Sequence, residues 1–117
     1  MAIGEYVKSA DWKSEKHVPV IEIPDSVKPG EAFNVQITVG KEISHPNTIE
    51  HHIKWFDLYV MYDDGQFLTH LGHIEFTPVT TQPTAVFNVK LEKSGSLIAT
   101  SYCNIHGLWE SSKRVEF

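Results

Sequence analysis

The stretch FNVQITV, residues 33–39, decides the fold class of this chain. Its apolar residues alternate with polar ones, and a period of two is typical of a strand that buries one face. The alternation returns in residues 87–91 and 97–103. No stretch keeps an apolar stripe with the helical period for three turns. The sequence therefore predicts strands rather than helices.

Other candidate strands lie on both sides of these three. Residues 18–23 and Ile53–Tyr62 are rich in β-branched and aromatic residues. Residues 66–71 and 73–76 form one bent strand or two, with Gly72 as a bulge or a break, and residues 113–117 close the chain as a short strand. Six to eight short strands separated by turn residues predict an all-β, antiparallel sandwich. Residues 1–117 are expected to form one domain.

Length, composition and charge exclude several classes of protein. The 117 residues carry a net charge of -5 and no basic run, which argues against a nucleic-acid partner. The apolar runs are too short for a transmembrane helix, so no membrane partner is expected. The first 17 residues lack the apolar core of a signal peptide, so we expect a cytoplasmic protein. The single cysteine excludes an internal disulfide and a four-cysteine metal site.

Potential metal ligands concentrate in four segments: residues 15–17, 45–52, 69–73 and 102–107. Cys103 and His106 have a Cys-x-x-His spacing at the end of a predicted strand, which lets one turn present a thiolate and an imidazole to the same point. Alone, this spacing is weak evidence. Combined with His17, His45 and His51, it offers one sulfur and four nitrogens, all at strand ends or in loops. Such a donor set suits iron, copper or zinc, whereas calcium and magnesium prefer oxygen.

The other three histidines, His52, His70 and His73, are not expected to bind the metal. His52 follows His51 directly, so in a continued strand the two side chains point to opposite faces and only one can reach a shared metal. His70 and His73 flank Gly72 and are interpreted as a surface pair.

Two other functions compete with a catalytic metal site. A blue-copper-like electron-transfer sandwich uses one cysteine, two histidines and often an axial methionine, but no methionine follows His106. A non-catalytic immunoglobulin-like interaction domain would make the histidines incidental, although three separate motifs argue against that.

Three motifs make the sequence recognisable. The segments EKHVP (15–19), HPNTIEHHIKW (45–55) and CNIHGLW (103–109) occur in this order and span most of the chain. Together they resemble the superoxide reductases of the single-iron neelaredoxin type, which are related to desulfoferrodoxin. The resemblance implies an immunoglobulin-like β-sandwich of about seven strands with a mononuclear iron at one end. The chain lacks the additional four-cysteine iron module of desulfoferrodoxin, because Cys103 is its only cysteine.

The resemblance also implies a role for each matching residue. The four equatorial imidazoles would be His17, His45, His51 and His106. Cys103 would be the axial thiolate, Glu15 the sixth ligand in the ferric state, and Lys16 the cation beside the open site.

The implied activity is the one-electron reduction of superoxide to hydrogen peroxide without dioxygen production. The active form would be ferrous and the resting form ferric, with a thiolate that pushes electron density through the metal. The resemblance further implies a rubredoxin-type electron donor and a homo-oligomer, either a tetramer or a dimer.

Overall fold

The computed structural model describes residues 1–117 and contains seven strands and one short 3-10 helix, Ile3–Glu5. The strands are β1 (Val20–Glu22), β2 (Ala32–Thr38), β3 (Ile53–Tyr62), β4 (Thr69–Glu75), β5 (Thr84–Lys90), β6 (Gly95–Cys103) and β7 (Gly107–Val115). No helix has the length and apolar character that crossing a bilayer would require.

The strands form two antiparallel sheets. One sheet has three strands in the order β1-β2-β5, and the other has four in the order β4-β3-β6-β7. Strands β2 and β5 therefore pair in one sheet while β3 and β6 pair in the other, as in immunoglobulin-like sandwiches. The predicted antiparallel sandwich of about seven strands is confirmed.

The core lies between the inward faces of the two sheets. In β2 the apolar Phe33, Val35 and Ile37 are buried while the intervening polar residues are exposed. In β6 every second residue from Gly95 to Cys103 is buried. In these strands the alternation in the sequence thus becomes one buried face, and the inward-facing apolar residues pack into a single cluster.

Two strands differ from the sequence prediction. Residues 66–71 and 73–76 contribute to a single strand, β4, in which Leu58 pairs with Gly72 and Tyr59 with His70. Leu71 is therefore the extra residue of a β-bulge, next to the predicted position Gly72. The predicted last strand, residues 113–117, is wrong in its bounds. Gly107 adopts a φ of 81° that turns the chain directly back, so β7 pairs with β6 along its whole length.

Several strand ends meet at one end of the sandwich. The start of β1 pairs with the end of β2, and the end of β6 pairs with the starts of both β3 and β7. Ser101 ties the two sheets together here, because its hydroxyl donates to the carbonyl of His17 at 3.2 Å. The segment before β1, the β2–β3 loop and the β6–β7 turn are consequently gathered at this end.

Gly40 shapes the start of the β2–β3 loop. Its φ is 86°, and a Cβ at this position would lie only 2.7 Å from the backbone nitrogen of His45. A larger residue would be strained by its backbone conformation and would also clash, so the loop requires glycine to bring His45 back to the sandwich.

Candidate metal centre

Four potential ligands from distant parts of the chain converge at the end of the sandwich described above. One ligand atom from each of these residues lies within 4.8 Å of all the others: His17, His45, His51 and Cys103. His17 precedes β1, His45 and His51 belong to the β2–β3 loop, and Cys103 ends β6. The topology therefore brings together residues that three separate sequence motifs supply.

His106 completes the group from the β6–β7 turn. Its Nδ1 lies 3.1 Å from Nε2 of His17 and 3.2 Å from Nε2 of His51. The same Nδ1 is 3.8 Å from Sγ of Cys103, and the backbone N–H of His106 donates to that sulfur at 3.4 Å. The Cys-x-x-His turn thus presents its thiol and its imidazole toward one point.

The four imidazoles form a closed ring around a common centre. Neighbouring ring centroids are 4.9 Å apart for His17 and His45, 4.7 Å for His45 and His51, 5.0 Å for His51 and His106, and 4.7 Å for His106 and His17. The diagonal from His17 to His51 is longer, at 6.3 Å. Cys103 is fully buried whereas His106 is exposed, so the thiol approaches this ring from the protein interior.

The orientation of His45 shows that the cluster suits a metal ion. Its Nδ1 donates to the carbonyl of Pro46 at 2.7 Å, which leaves Nε2 as the free nitrogen. This Nε2 is buried and has no hydrogen-bond partner in the protein. Burial lowers the pKa of His45 to about 4, so the nitrogen is unprotonated at neutral pH. A buried, unpaired and unprotonated nitrogen is costly unless it has a ligand to bind.

Glu15 lies behind His17 in this structure. One of its carboxylate oxygens accepts hydrogen bonds from His17 Nδ1 at 2.6 Å and from the His17 backbone N–H at 3.1 Å. Burial raises the pKa of Glu15, but the bonds from His17 outweigh this and place the pKa below its ordinary value. The carboxylate therefore orients His17 so that Nε2 of the ring faces the other imidazoles. Glu15 itself is not one of the clustered donors.

Lys16 supplies positive charge close to the cluster. It is half-buried and takes part in none of the ion pairs of the protein. Burial is the main reason why the pKa of His51 is lowered, and the charges of His106, His17 and Lys16 lower it further. Lys16 also contributes to the low pKa of His45. Its field therefore reaches the inner and the outer imidazoles alike.

Comparison with known proteins identifies the family. A protein-family model described as desulfoferrodoxin matches residues 9–112. The chain belongs to the desulfoferrodoxin family. A superoxide reductase of Pyrococcus abyssi is 53% identical over 97% of this chain and 99% of the relative. A neelaredoxin of Megalodesulfovibrio gigas is 45% identical over 98% of each chain. The chain also superposes on a solved structure, that of a superoxide reductase (neelaredoxin) from Archaeoglobus fulgidus in the reduced form, with a TM-score of 0.86. The two chains are 45% identical, and the match covers 96% of this chain and 99% of that chain.

Iron fits the donor set of this desulfoferrodoxin-family chain, because imidazole and thiolate are both good ligands for it. The alternative of a blue-copper-like site is not favoured. Such sites take two histidines, one cysteine and a weak axial ligand, whereas four imidazoles surround the centre here. A non-catalytic interaction domain does not account for this convergence either.

The remaining histidines point elsewhere. His52 donates from Nδ1 to the carbonyl of Thr48 at 3.1 Å and does not join the cluster. The sequence predicts that a continued strand separates His51 from His52. In the structure β3 begins only at Ile53, so the preceding turn separates them instead. His70 and His73 lie on the exposed surface, and both contact Asp57.

Two further residues, Asn104 and Ser101, position the ligands without belonging to the predicted ligand set. Asn104 accepts a hydrogen bond from the backbone of His52 and donates to the carbonyl of Glu50, each at 2.9 Å, so it joins the Cys-x-x-His turn to the loop that carries His51. Ser101, which holds the backbone of His17, is the one polar residue between Leu97 and Cys103 on the inward face of β6. That single polar residue on an apolar face was the available signal.

Proposed function

We propose that this chain is a superoxide reductase that converts superoxide to hydrogen peroxide at a mononuclear iron. The proposal rests on one observation, the convergence of four imidazoles and one thiol in a desulfoferrodoxin-family chain. The names of the relatives in Pyrococcus abyssi and Megalodesulfovibrio gigas support it. The whole chain, residues 1–117, is proposed to act as one iron-binding domain.

The proposed equatorial ligands are the imidazoles of the closed ring: His17, His45, His51 and His106. Three of them present Nε2 to the centre, while His106 presents Nδ1. Cys103 is the proposed axial thiolate, which its position on the buried side of the ring supports. The opposite side of the ring is then the side open to solvent, which the exposure of His106 also supports.

The reaction adds one electron and two protons to superoxide and yields hydrogen peroxide, so no dioxygen is produced. Bound ferrous iron would supply the electron and, with five protein ligands, an open sixth position for the anion. The resting form is proposed to be ferric. The chain itself holds the imidazoles in place through the carbonyl of Pro46 and the carboxylate of Glu15.

Glu15 and Lys16 are proposed to act at the open side. Glu15 is the proposed sixth ligand of the ferric state, and reaching that position would require release of its bond to His17 Nδ1. Lys16 is proposed to attract the superoxide anion, because its charge is not neutralised by an ion pair and its field extends to the imidazoles.

The proposed partners follow from the same function. We propose a rubredoxin-type protein as the electron donor and a homo-oligomer, either a tetramer or a dimer, as the working assembly. The cytoplasm is the proposed location, because a reducing compartment keeps the only thiol of the chain available as a ligand.

A comparison of the wild type with Cys103→Ser tests the proposed function. We expect the iron-loaded wild type to reduce superoxide in stopped flow with peroxide as product and no dioxygen, and its ferric form to show a thiolate charge-transfer band. Cys103→Ser should lose the band and the turnover, because a hydroxyl is a poor substitute for the thiolate. Copper instead of iron in the protein as purified, or a variant that keeps both colour and turnover, would contradict the proposal.

A further inference from the structure

A second group of potential metal ligands lies on the outer face of the four-stranded sheet. Asp57 of β3 accepts hydrogen bonds on the same oxygen, Oδ1, from His70 Nε2 at 2.8 Å and from His73 Nδ1 at 2.9 Å. The Asp57 side chain is only 15% exposed, whereas those of His70 and His73 are 53% and 38% exposed. None of these three side chains forms a hydrogen bond to a proposed iron ligand. The group is therefore a separate site, open to solvent on one side.

A β-bulge brings the two histidines to one face. In a regular strand, residues three apart point to opposite sides of the sheet. In β4 the extra residue Leu71 breaks this alternation, so His73 pairs with Asp57 and His70 pairs with Tyr59, the next residue on the same face of β3. Bulges often re-aim side chains at functional sites. Here the bulge creates a His-x-x-His pair directed at one carboxylate.

Neighbouring side chains restrict the two imidazoles. The ring centroids of His73 and Trp55 are 5.8 Å apart, and those of His70 and Tyr59 are 5.3 Å apart. On its far side, Nε2 of His73 lies 3.4 Å from a carboxylate oxygen of Glu75. A carboxylate behind a ligating histidine is the usual outer partner in metal sites, since it fixes the tautomer and the ring orientation.

We propose that Asp57, His70 and His73 bind one divalent transition-metal ion of the zinc class. Two imidazole nitrogens and one carboxylate oxygen form a common ligand set for Zn²⁺ and disfavour Ca²⁺ and Mg²⁺. Ligands at about 2.1 Å from zinc are roughly 3.0–3.4 Å apart, and each imidazole nitrogen lies close to that distance from Asp57 Oδ1. Both imidazoles now point at this oxygen, so they would rotate toward each other to bind a shared ion. Water would fill the remaining positions. The ion would clamp the edge strand β4 onto β3.

The test is zinc titration of the iron-loaded protein. Filling the iron site first keeps Zn²⁺ out of it, and the iron content measured after dialysis verifies this. Calorimetry should show one zinc ion bound per chain, and the imidazole resonances of His70 and His73 should shift in NMR spectra. Binding of Zn²⁺ should also raise the thermal midpoint, because the ion binds only the paired strands.

Three variants, His70→Gln, His73→Gln and Asp57→Asn, should each weaken zinc binding by about ten-fold or more through loss of one ligand. Asp64→Asn is the matched control, since it removes an exposed carboxylate that pairs with Lys93 outside the group, and it should bind zinc like the wild type. Both glutamine variants keep the carboxylate and remain informative if Asp57→Asn does not fold. The inference fails if zinc does not bind, if it binds only by displacing iron, or if both glutamine variants bind it as tightly as the wild type. Because zinc binding is measured without superoxide, these outcomes are independent of the proposed reductase activity.

Discussion

At the scale of single residues, adjacent positions in this chain have different environments. His51 Nε2 faces His106 at 3.2 Å, while His52 turns its ring to the carbonyl of Thr48. The turn is fixed locally, because the backbone N–H of His51 donates to the Thr48 hydroxyl at 3.0 Å. One turn therefore decides which of two neighbouring imidazoles reaches the metal site.

The pair His51→Ala and His52→Ala tests this division. His51→Ala removes a proposed ligand, so we expect iron content to fall at least ten-fold after dialysis against a chelator. His52→Ala loses only an exposed bond to Thr48, so its iron content should remain near that of the wild type. Iron analysis and the ferric visible spectrum provide the measurements. Equal iron loss from both variants would show that the ligand assignment in this turn is wrong.

The donors could be predicted from the sequence more readily than the residues that orient them. His17, His45, His51 and Cys103 belong to short motifs, and the structure brings all four together. Ser101 acts on a residue 84 positions away, which no local pattern reveals. The bond from Glu15 to His17 spans two positions, yet a carboxylate so close to an imidazole can bind either the ring or a metal, and the sequence does not decide between them.

At the scale of the strands, periodicity predicted the regular parts and missed the irregular ones. Strand β3 runs over Ile53–Tyr62 as predicted, and the alternation in β2 becomes a buried face. The bulge in β4 arises from its register with β3, and the early start of β7 arises from its pairing with β6. Both depend on a partner strand, and an analysis of one segment at a time contains no information about the partner.

The β3–β4 pair also predicts a dependence of stability on pH. Hydrogen bonds to Asp57 raise the pKa of His73 above its ordinary value, partial burial opposes this, and Glu75 raises it further. The charged groups that face His73 are Asp57 and Glu75, with His70 on the other side of Asp57. A histidine whose pKa is higher in the folded than in the unfolded protein stabilises the fold when it is protonated. This stabilisation is complete at pH values below the unfolded-state pKa, and it is lost as the pH rises through the folded-state pKa.

His73→Asn should therefore destabilise the protein more at about pH 5.5 than at about pH 8.5. Urea denaturation of the iron-loaded protein in zinc-free buffer measures the difference at both pH values. His52→Asn is a suitable control, because the His52 ring bonds to a backbone carbonyl and not to a carboxylate. A His73→Asn effect that is constant with pH would mean that the imidazolium does not contribute through Asp57.

At the scale of the whole molecule, the net charge of the chain and the charge of Lys16 beside the metal site have opposite signs. The chain carries a net charge of -5, which is unfavourable for an anionic substrate. Next to the metal site, however, Lys16 is half-buried and unpaired, and its charge acts on both His45 and His51. The field at the opening, and not the total charge, controls the encounter with a small anion.

Replacement of Lys16 tests this conclusion against a variant with the same change in net charge. Lys16→Ala should lower the second-order rate with superoxide by roughly ten-fold and weaken its dependence on ionic strength, because a positive charge near the opening is lost. Lys90→Ala is the matched control. Lys90 is exposed and pairs with Ala32, at the end of the three-stranded sheet opposite to Thr38 and the metal site. Stopped flow or pulse radiolysis over a range of salt concentrations gives both rates and slopes. If both variants slow the reaction equally, only the total charge matters; if neither does, the iron's own charge is sufficient to guide superoxide.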